Sequence, residues 1–297
     1  MLRNKHQIKQ DIDMMHDMKS LSEVYEEISV MKMQRVRGGV LSTRTFLEAL
    51  AEVYYDVKVN YEKEIERAQK HKRGPSQFMK NGKTVSLLLT SNAKLYGEII
   101  PKIFNLFIEN YEKEKTDVVI IGRYGKDLFD AAKKDSEYKF YDFPDNDVTL
   151  SNILPVVGYI LHYEKVYVYY GRFANVITQT PVKTTLSGEN IFKDLENQIQ
   201  YQEKNPDEDK KIIFGFEPSL EGILGFFEAQ ILYSLFHQTV SETQLSREGS
   251  RVLAMERALS NIEREENVLK KQQLHLAKVI DNKKQLESLS GMSLWRK

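Results

Sequence analysis

The C-terminal run from Leu220 to Ser290 contains no proline and carries a regular apolar repeat, and this run strongly limits how the chain can fold. Apolar side chains recur there every seven residues in two series, which are offset from each other by three residues. The two series are Leu245, Val252 and Leu259, and then Met255, Ile262, Leu269 and Leu276. They match the a and d positions of a coiled-coil helix over about four repeats. At ~1.5 Å per residue such a helix is roughly 100 Å long, so we expect it to pack against another long helix or a partner.

The N-terminal stretch from Asn4 to about Lys70 is predicted to be a second long helix, which could line the C-terminal helix. Its apolar residues advance in steps of three or four, which is the pattern of an amphipathic helix. The stripe consists of Ile8, Ile12, Met15, Met18, Leu21, Tyr25, Ile28 and Met31. Gly38-Gly39 interrupts this pattern, and each glycine costs a helix ~1 kcal/mol. Burial of the seven seam residues contributes on the order of 10 to 20 kcal/mol gross, so we expect the glycines to loosen the helix locally without ending it.

In the middle of the chain, the apolar residues follow a different period from those of the two long helices. After the loop-forming segment His71–Gly82, short apolar runs rich in β-forming residues alternate with helical patterns. The predicted strands are 84–90, 117–122 and 165–170, with a strand pair 167–171 and 176–185 and a last strand 211–216; the predicted helices are 99–114, 126–134 and 149–162. This alternation predicts a small, mostly parallel α/β sheet covered on both faces. We therefore expect an α+β fold in which a coiled coil of the N- and C-terminal helices (residues 1–72 and 217–297) carries an inserted Rossmann-like α/β domain (residues 80–216).

Composition excludes several classes of protein. Lys plus Arg and Asp plus Glu are equal at 43 each, which argues against a nucleic-acid groove based on net charge. No window approaches 18 consecutive apolar residues, and the polar start lacks a signal-peptide core, so we expect a cytoplasmic chain with no membrane span. The chain has no cysteine, which excludes disulfides, thiolate metal sites and cysteine nucleophiles.

The sequence shows no catalytic constellation. Gly82-Lys83-Thr84 resembles the end of a phosphate-binding loop, but Gln77 stands where that motif needs its first glycine. Gly122 and Gly125 follow a predicted strand without the Gly-x-Gly half of a dinucleotide fingerprint, so a turn is the better interpretation. The six histidines are scattered without ligand spacing. We expect no catalytic residue, no metal site and no cofactor.

Several motifs resemble those of the gamma subunit of F-type ATP synthases, in the same order and at the same spacing. The matching positions are Ile8-Lys9, Ile12, Leu21, Lys32-Met33 and Arg44 near the start; Phe173, Asn175, Gln179 and Pro181 (F-x-N-x-x-x-Q-x-P); Phe216-Glu217-Pro218 (Y-E-P); and Ser246, Arg251, Ala254, Met255 and Ala258 (S-E-x-x-x-R-x-x-A-M-x-x-A). Each match is weak alone, and together they are specific and extend over nearly the whole chain.

The chain also departs from the family pattern. Residues 90–100 read TSNAKLYGEII where the family has S-T-D-R-G-L-C-G-G-x-N, so that only Leu95 and Gly97 of the motif core remain. Arg247 stands where the S-E pair has its glutamate. The closing I-T-x-E-L-x-E-I is reduced to NKKQLESL at 282–289. The resemblance is therefore to a divergent gamma-like subunit.

The resemblance implies a non-catalytic rotor shaft that couples ATP turnover to rotation. In the family, the two terminal helices form a long antiparallel coiled coil that enters an alpha3-beta3-type catalytic hexamer, and the α/β domain holds an epsilon-like subunit and a c-type ring. It also implies a cytoplasmic location peripheral to the cell membrane. The residues expected to contact partners are Lys32, Met33, Ser246, Arg251 and Met255.

Two alternatives remain open at this point. The eroded D-R-G-L-C-G motif favours a rotary head coupled to other work, such as motility or a secreted-protein machine, in which no ion ring would co-purify. The second alternative is an unrelated coiled-coil scaffold or an α/β enzyme with a coiled-coil arm. Nucleotide binding by the isolated chain would favour this alternative.

Overall fold

The computed structural model of the chain describes residues 5–60, 80–133, 136–186 and 220–294. The helices are α1 (Lys5–Asn60), α2 (Ile99–Glu114), α3 (Arg123–Ala132), α4 (Leu150–Ile160) and α5 (Leu220–Leu294), and the strands are β1 (Thr84–Leu89), β2 (Asp117–Ile121), β3 (Lys139–Tyr141), β4 (Lys165–Phe173) and β5 (Gln179–Thr185). The chain forms two compact units. The first unit contains the described residues up to Val30 and those from Arg251 onward, and the second unit contains Met31–Ser250. Both long helices contribute to both units.

The first unit is an antiparallel pair formed by the start of α1 and the end of α5. Lys19 Nζ lies 2.9 Å from Glu263 Oε1, while the Arg251 guanidinium lies 5.8 Å from the ring centroid of Tyr25. Because the earlier residue of α1 pairs with the later residue of α5, the two helices run in opposite directions. The predicted antiparallel coiled coil is confirmed for this unit.

The face of α1 that is buried differs from the predicted stripe. Met18 is 48% exposed and Leu21 is 57% exposed, whereas Lys19 and Ser22 are half-buried and Ser29 is fully buried. Residues one heptad apart on the buried side are Ile8, Met15, Ser22 and Ser29. Of the predicted stripe, Met18, Leu21 and Met31 are exposed, whereas Ile8, Ile12, Met15, Tyr25 and Ile28 are buried or half-buried. Both faces of this helix carry apolar residues, so apolarity alone selected three wrong positions.

Helix α1 continues through Gly38 and Gly39 without interruption. Both glycines are exposed, and no atom outside the local helix lies near the position that a Cβ would occupy. The expectation that they would not end the helix is confirmed.

The second unit is built on a five-stranded sheet with the order β3-β2-β1-β4-β5. Strand β1 lies in the centre, parallel to β2 and β4; β2 is parallel to β3, and β5 is antiparallel to β4. The predicted strands near residues 84, 117 and 165 and the predicted strand pair are confirmed. Strand β3 was missed because three residues are too few to show a period-two pattern. The predicted strand 211–216, the Y-E-P match and the domain boundaries at 72 and 216–217 lie outside the described residues, so that three-part division stays a prediction.

Two hydrophobic layers cover the two faces of this sheet. On one face, α2 and α3 place residues such as Ile103, Phe107 and Phe129 against the sheet. On the other face, α4 is joined by α5, whose Phe236 is fully buried beside strand residues such as Leu87. The C-terminal helix is therefore part of the core of the α/β domain, in addition to its role in the coiled coil.

Candidate functional site

The carboxyl edge of the sheet is where a fold with this strand order can bind a ligand. In the order β3-β2-β1-β4-β5 the strand sequence reverses between β1 and β4, and ligands of such sheets bind in the crevice outside those two strand ends. Here α5 crosses both ends. Arg247 bonds to Thr90, just after β1, and a side chain at Gly171 of β4 would collide with Ser246 Oγ. The chain thus fills its own switch-point crevice with a helix.

Arg247 is the central residue of this contact, and only 6% of its side chain is exposed. Its Nη1 donates to Thr90 O at 2.6 Å and to Asp145 Oδ1 at 3.2 Å, and its Nη2 donates to Asp145 O at 3.2 Å. The guanidinium also lies 5.2 Å from the ring centroid of Tyr96, at cation–π distance. These contacts hold the guanidinium in one orientation, as its planar fork of donors allows.

Asp145 connects Arg247 to the loop that follows β1. Its Oδ1 accepts a hydrogen bond from Asn92 N and its Oδ2 accepts one from Ala93 N, both at 2.8 Å. The carboxylate is 14% exposed, so the ion pair with Arg247 is almost completely removed from water. A charge pair in this situation stabilises a structure only when its remaining donors and acceptors are satisfied. The two amides satisfy Asp145, while Arg247 Nε has no hydrogen-bond partner among the described residues.

A second, exposed ion pair, between the start of α3 and the residue after β3, contacts the same loop through Asn92. The Asn92 side chain donates to Asp142 Oδ1 at 2.7 Å and accepts from Arg123 N at 2.8 Å, while Arg123 Nη2 lies 2.6 Å from Asp142 Oδ2. The Arg123 hydrogen bond holds the pKa of the Asp142 carboxyl below its usual range, and burial opposes this shift only in part. The side chains of Arg123 and Asp142 are 68% and 40% exposed, so water screens this pair.

The space left at this edge is too small for a nucleotide. A cavity of about 20 Å³ lies between Leu89, Phe143, Val240 and Arg247. That volume holds a single water molecule, whereas small-molecule sites occupy about 300 to 1,000 Å³.

The first backbone amides of α3, which bind phosphate in related folds, already have partners inside the chain. Arg123 N donates to Asn92 Oδ1, Tyr124 N donates to Ser91 O, and Gly125 N donates to Thr90 Oγ1. Gly122 caps this helix at a φ of 99°, which is the turn role predicted for it.

The motif residues Phe173, Asn175, Gln179 and Pro181 form one hairpin between β4 and β5. Asn175 Oδ1 accepts from the backbone amides of Ile177 and Thr178 at 2.9 and 2.8 Å, and Gln179 Nε2 donates to Asn175 O at 2.9 Å. Pro181 lies opposite Gly171 in the ladder, and Phe173 pairs with Gln179. The motif therefore fixes a tight turn.

This hairpin rests on α5. A Cβ added at Gly249 would lie 3.0 Å from Phe173 Cε2 and 3.1 Å from Gln179 Nε2, so any other residue there requires these side chains to shift. The turn itself leaves Ile177 77% exposed. The spacing of the motif is thus explained by contacts inside this chain.

The five predicted partner-contact residues are divided between the two units. In the second unit, Lys32 Nζ lies 3.9 Å from Glu248 Oε1, Met33 is half-buried and Ser246 is fully buried. In the first unit, Arg251 is buried beside Tyr25, and Met255 is half-buried. Their contact with partners stays a prediction, and Ser246 and Arg251 pack inside the chain.

The seam residues of α5 fall into two groups by burial. The buried ones are Leu245, Val252, Ile262 and Leu269, and the half-buried ones are Leu259 and Leu276. Leu245 belongs to the second unit and the others to the first.

Two further searches of the described ranges gave negative results. No group of three or more His, Cys, Asp or Glu side chains there is arranged to hold a metal ion. None of the described helices has a stretch long and apolar enough to cross a bilayer.

Sequence reasoning missed the roles of Asp145, Asn92 and Tyr96. The available signal was indirect, because Arg247 and the segment from residue 90 to 100 were both recognised as departures from a family pattern. In the structure these two departures contact each other through Asp145. Two unusual positions that meet in space indicate a changed interaction rather than two independent losses.

Comparison with known proteins identifies relatives along most of the chain. A model of the ATP synthase family matches residues 4–276. The ATP synthase gamma chain of Roseiflexus castenholzii is 24% identical over 272 residues, which cover 86% of each chain. The ATP synthase gamma chain of Mesoplasma florum is 22% identical over 271 residues, which cover 88% of this chain and 87% of the relative.

Solved structures with a similar fold are parts of mitochondrial ATP synthases. A chain of the Euglena gracilis OSCP/F1/c-ring assembly in rotational state 3 matches with a TM-score of 0.59 and 15% identity, covering 98% of this chain and 95% of that chain. A chain of the Tetrahymena thermophila central stalk and c-ring matches with a TM-score of 0.57 and 17% identity, covering 80% of this chain and 99% of that chain. The predicted fold class is thereby confirmed. The match over residues 4–276 shows that this chain belongs to the ATP synthase family, in which it is a divergent gamma subunit of the central stalk.

Proposed function

We propose that this gamma subunit is a non-catalytic rotor shaft, which carries torque between nucleotide-hydrolysing subunits and a second rotating partner. The observation that carries the proposal is the course of α5. This single helix, Leu220–Leu294, supplies Phe236 to the core of the sheet and Ile262 to the seam of the antiparallel pair. A torsional load applied to the helix pair therefore reaches the α/β domain through continuous backbone.

The proposed partner of the helix pair is an alpha3-beta3-type hexamer. A shaft acts on such a ring by contacting differently the alternative states of its subunits, because only differential contacts shift a conformational equilibrium. Lys32, Met33 and Met255 are partly accessible and are the proposed contacts. Ser246 and Arg251 are buried in their respective units, and their proposed role is to position the helices that carry these contacts.

The proposed partners of the α/β domain are a c-type ring and an epsilon-like subunit. The names of the similar structures support this, since they are rotor assemblies that contain a c-ring. With these partners the complex would lie at the cytoplasmic face of the cell membrane.

The absence of catalysis in this chain is supported by the filled crevice. Arg247 and α5 occupy the place where a sheet of this order can bind a nucleotide, and the first amides of α3 are used within the chain. Hydrolysis is therefore assigned to the neighbouring subunits.

A second candidate is a gamma-like shaft that drives other work than ion transport. The observation that favours it is the rebuilt loop after β1, where Asn92 and Ala93 bond to Asp145 in place of the family's D-R-G-L-C-G segment. A change of load on the rotor is one physical reason for such rebuilding.

Purification of the intact complex tests both candidates. The full chain carries an affinity tag, the complex is isolated under mild conditions, and its subunits are identified by mass spectrometry together with its ATPase activity. An active complex with hexamer subunits, a c-type ring and an epsilon-like subunit supports the first candidate. An active hexamer with other companions and no ring supports the second, and a chain that purifies without ATPase subunits contradicts both.

A further inference from the structure

We propose that Arg247 is a positioning residue that locks the C-terminal helix to the carboxyl edge of the sheet and prevents slippage between helix and domain under torque. This proposal rests on the proposed rotor function. It concerns contacts inside one compact unit, Met31–Ser250.

The first step is that apolar packing holds α5 on the sheet only as far as Val240. The core cluster on this face contains Leu232, Phe236 and Val240 of α5 and no later residue of that helix. Hydrophobic packing is strong but weakly directional, so it resists separation of helix and sheet better than rotation of the helix about its axis.

The second step is that the following stretch of α5 is buried but largely polar. Its buried side chains include Ser241, Thr243, Ser246 and Ser250, which are small and offer little apolar area. The Ser246 hydroxyl has no hydrogen-bond partner in the part of the chain that the structure describes. Leu245 is the one large apolar side chain that is buried in residues 241–250, and Phe173 packs at Gly249. Most of the directional hold on this stretch is therefore assigned to hydrogen-bonding and charged groups.

The third step is the geometry of Arg247. Its guanidinium bonds at one side to Thr90 O, next to β1, and at the other to Asp145, which in turn accepts from the amides of Asn92 and Ala93. Rotation of α5 by one residue step, about 100°, would carry the guanidinium away from all of these acceptors. It would also leave Asp145 charged and unpaired in a nearly dry site.

Lysine is a poorer substitute for arginine in this arrangement. Its three donors share one nitrogen at the end of a flexible stem, whereas the planar guanidinium reaches Thr90 O, Asp145 Oδ1 and Asp145 O from two nitrogens held in a fixed geometry. Arg247→Lys keeps the positive charge but loses the planar arrangement of donors. This variant therefore distinguishes the charge attraction to Asp145 from the orientation that the guanidinium imposes.

Hydrogen exchange of the full chain, read by mass spectrometry, tests the lock. The informative segments are residues 90–96, 143–147 and 243–250, and β2 reports global unfolding. In Arg247→Met we expect exchange in the informative segments to rise about 100-fold, because removal of one partner leaves a buried charge, while β2 stays protected. In Arg247→Lys we expect a rise of about tenfold in the same segments.

Arg123→Met is the matched control. It removes the arginine of an Arg–Asp pair that shares Asn92 with the network but is exposed. We expect exchange in residues 243–250 to change less than about threefold in this variant, as for other exposed pairs.

Three exchange results would overturn the proposal: no rise in Arg247→Met, an Arg123→Met rise as large as that of Arg247→Met, or an Arg247→Lys chain identical to wild type. If the Met variant unfolds globally, Arg247→Lys decides, since loss of β2 protection in that variant too would show a general stabilising role and no local lock.

A second test measures the torque of the assembled complex as it rotates against a viscous load. A residue that only stabilises the fold would not change this torque when it is substituted. With Arg247→Lys we expect ATP turnover without load to stay within about twofold of wild type and the torque under load to fall. Unchanged torque would overturn the lock. A wild-type complex that does not rotate would instead contradict the rotor function, and the exchange result on the lock would stand independently.

Discussion

The two units of this chain use the same helix in opposite ways. In the second unit α5 is one of two helices that close a sheet face, and residues such as Phe236 and Ile153 are fully buried. In the first unit α5 has one helical neighbour among the described residues, and large apolar side chains such as Leu274 (64% exposed) remain on the surface. The difference indicates that the second unit carries most of the stability, whereas the first unit is a helix pair with exposed apolar surface, which is available for the partners proposed above.

The largest expected effect is in the closed core of the second unit. Phe236→Ala removes a fully buried ring from the sheet face, and we expect the free energy of unfolding to fall by about 3 to 5 kcal/mol. Urea denaturation followed by circular dichroism measures this loss. The control is Phe46→Ala, whose ring is 48% exposed, with an expected loss below about 1 kcal/mol. Equal losses would contradict the assigned core.

The next effect separates the two units. Ile262→Asp places a carboxylate in the seam of the first unit, where the wild-type side chain is 7% exposed, and we expect about 3 kcal/mol of local destabilisation. Hydrogen exchange in residues 255–269 should rise while β1 and β2 stay protected. Leu274→Asp, at an exposed position, should change neither segment. Loss of protection in the sheet as well would show that the units are not separable in stability.

A smaller effect tests whether the hairpin between β4 and β5 packs on α5. Gly249→Ala forces a methyl group against Phe173 and Gln179, and we expect a loss of about 1 to 2 kcal/mol in thermal or urea unfolding. Gly158→Ala is the matched control, because no side chain or distant backbone lies near that helical position. There we expect a gain of up to about 1 kcal/mol from helix propensity. A stabilising effect at both positions would remove the hairpin contact from the account.

The smallest effect is a pH dependence at the exposed pair. Arg123 lowers the pKa of Asp142 in the folded chain, so this pair stabilises the fold fully above the unfolded carboxyl pKa of about 3.9. The contribution is lost as the pH falls through the lowered folded value. We expect less than about 1 kcal/mol, because both groups are more than one-third exposed. Asp142→Asn should remove this part of the acid dependence, and an unchanged acid profile would contradict the pairing.

Much of the fold could be predicted because its signals are local and periodic. The heptads of α5 and the apolar runs of β1, β2 and β4 each depend on residues close together in the sequence. The prediction of which side of α1 is buried was wrong in part, because Met18 and Leu21 are as apolar as seam residues. Only the position of the neighbouring helix decides which face is inside.

The contacts around Arg247 could not be predicted, for a different reason. Asp145 lies 102 residues before Arg247 in the sequence, and no period or motif connects the two positions. Their meeting depends on the strand order of the sheet and on α5 returning across its carboxyl edge. Arg247 could be singled out from the sequence because it departs from a family pattern. Its contact with Asp145 could be identified only from the three-dimensional structure.

Direct observation of rotation is the measurement that tests the central claim most directly. Because the chain has no cysteine, Ile177→Cys at the exposed hairpin tip gives a unique attachment point for a bead on the immobilised, active complex. The account predicts that the bead rotates in one direction when ATP is added and stops when ATP is removed. Steady ATP hydrolysis by a complex whose bead does not rotate would contradict it.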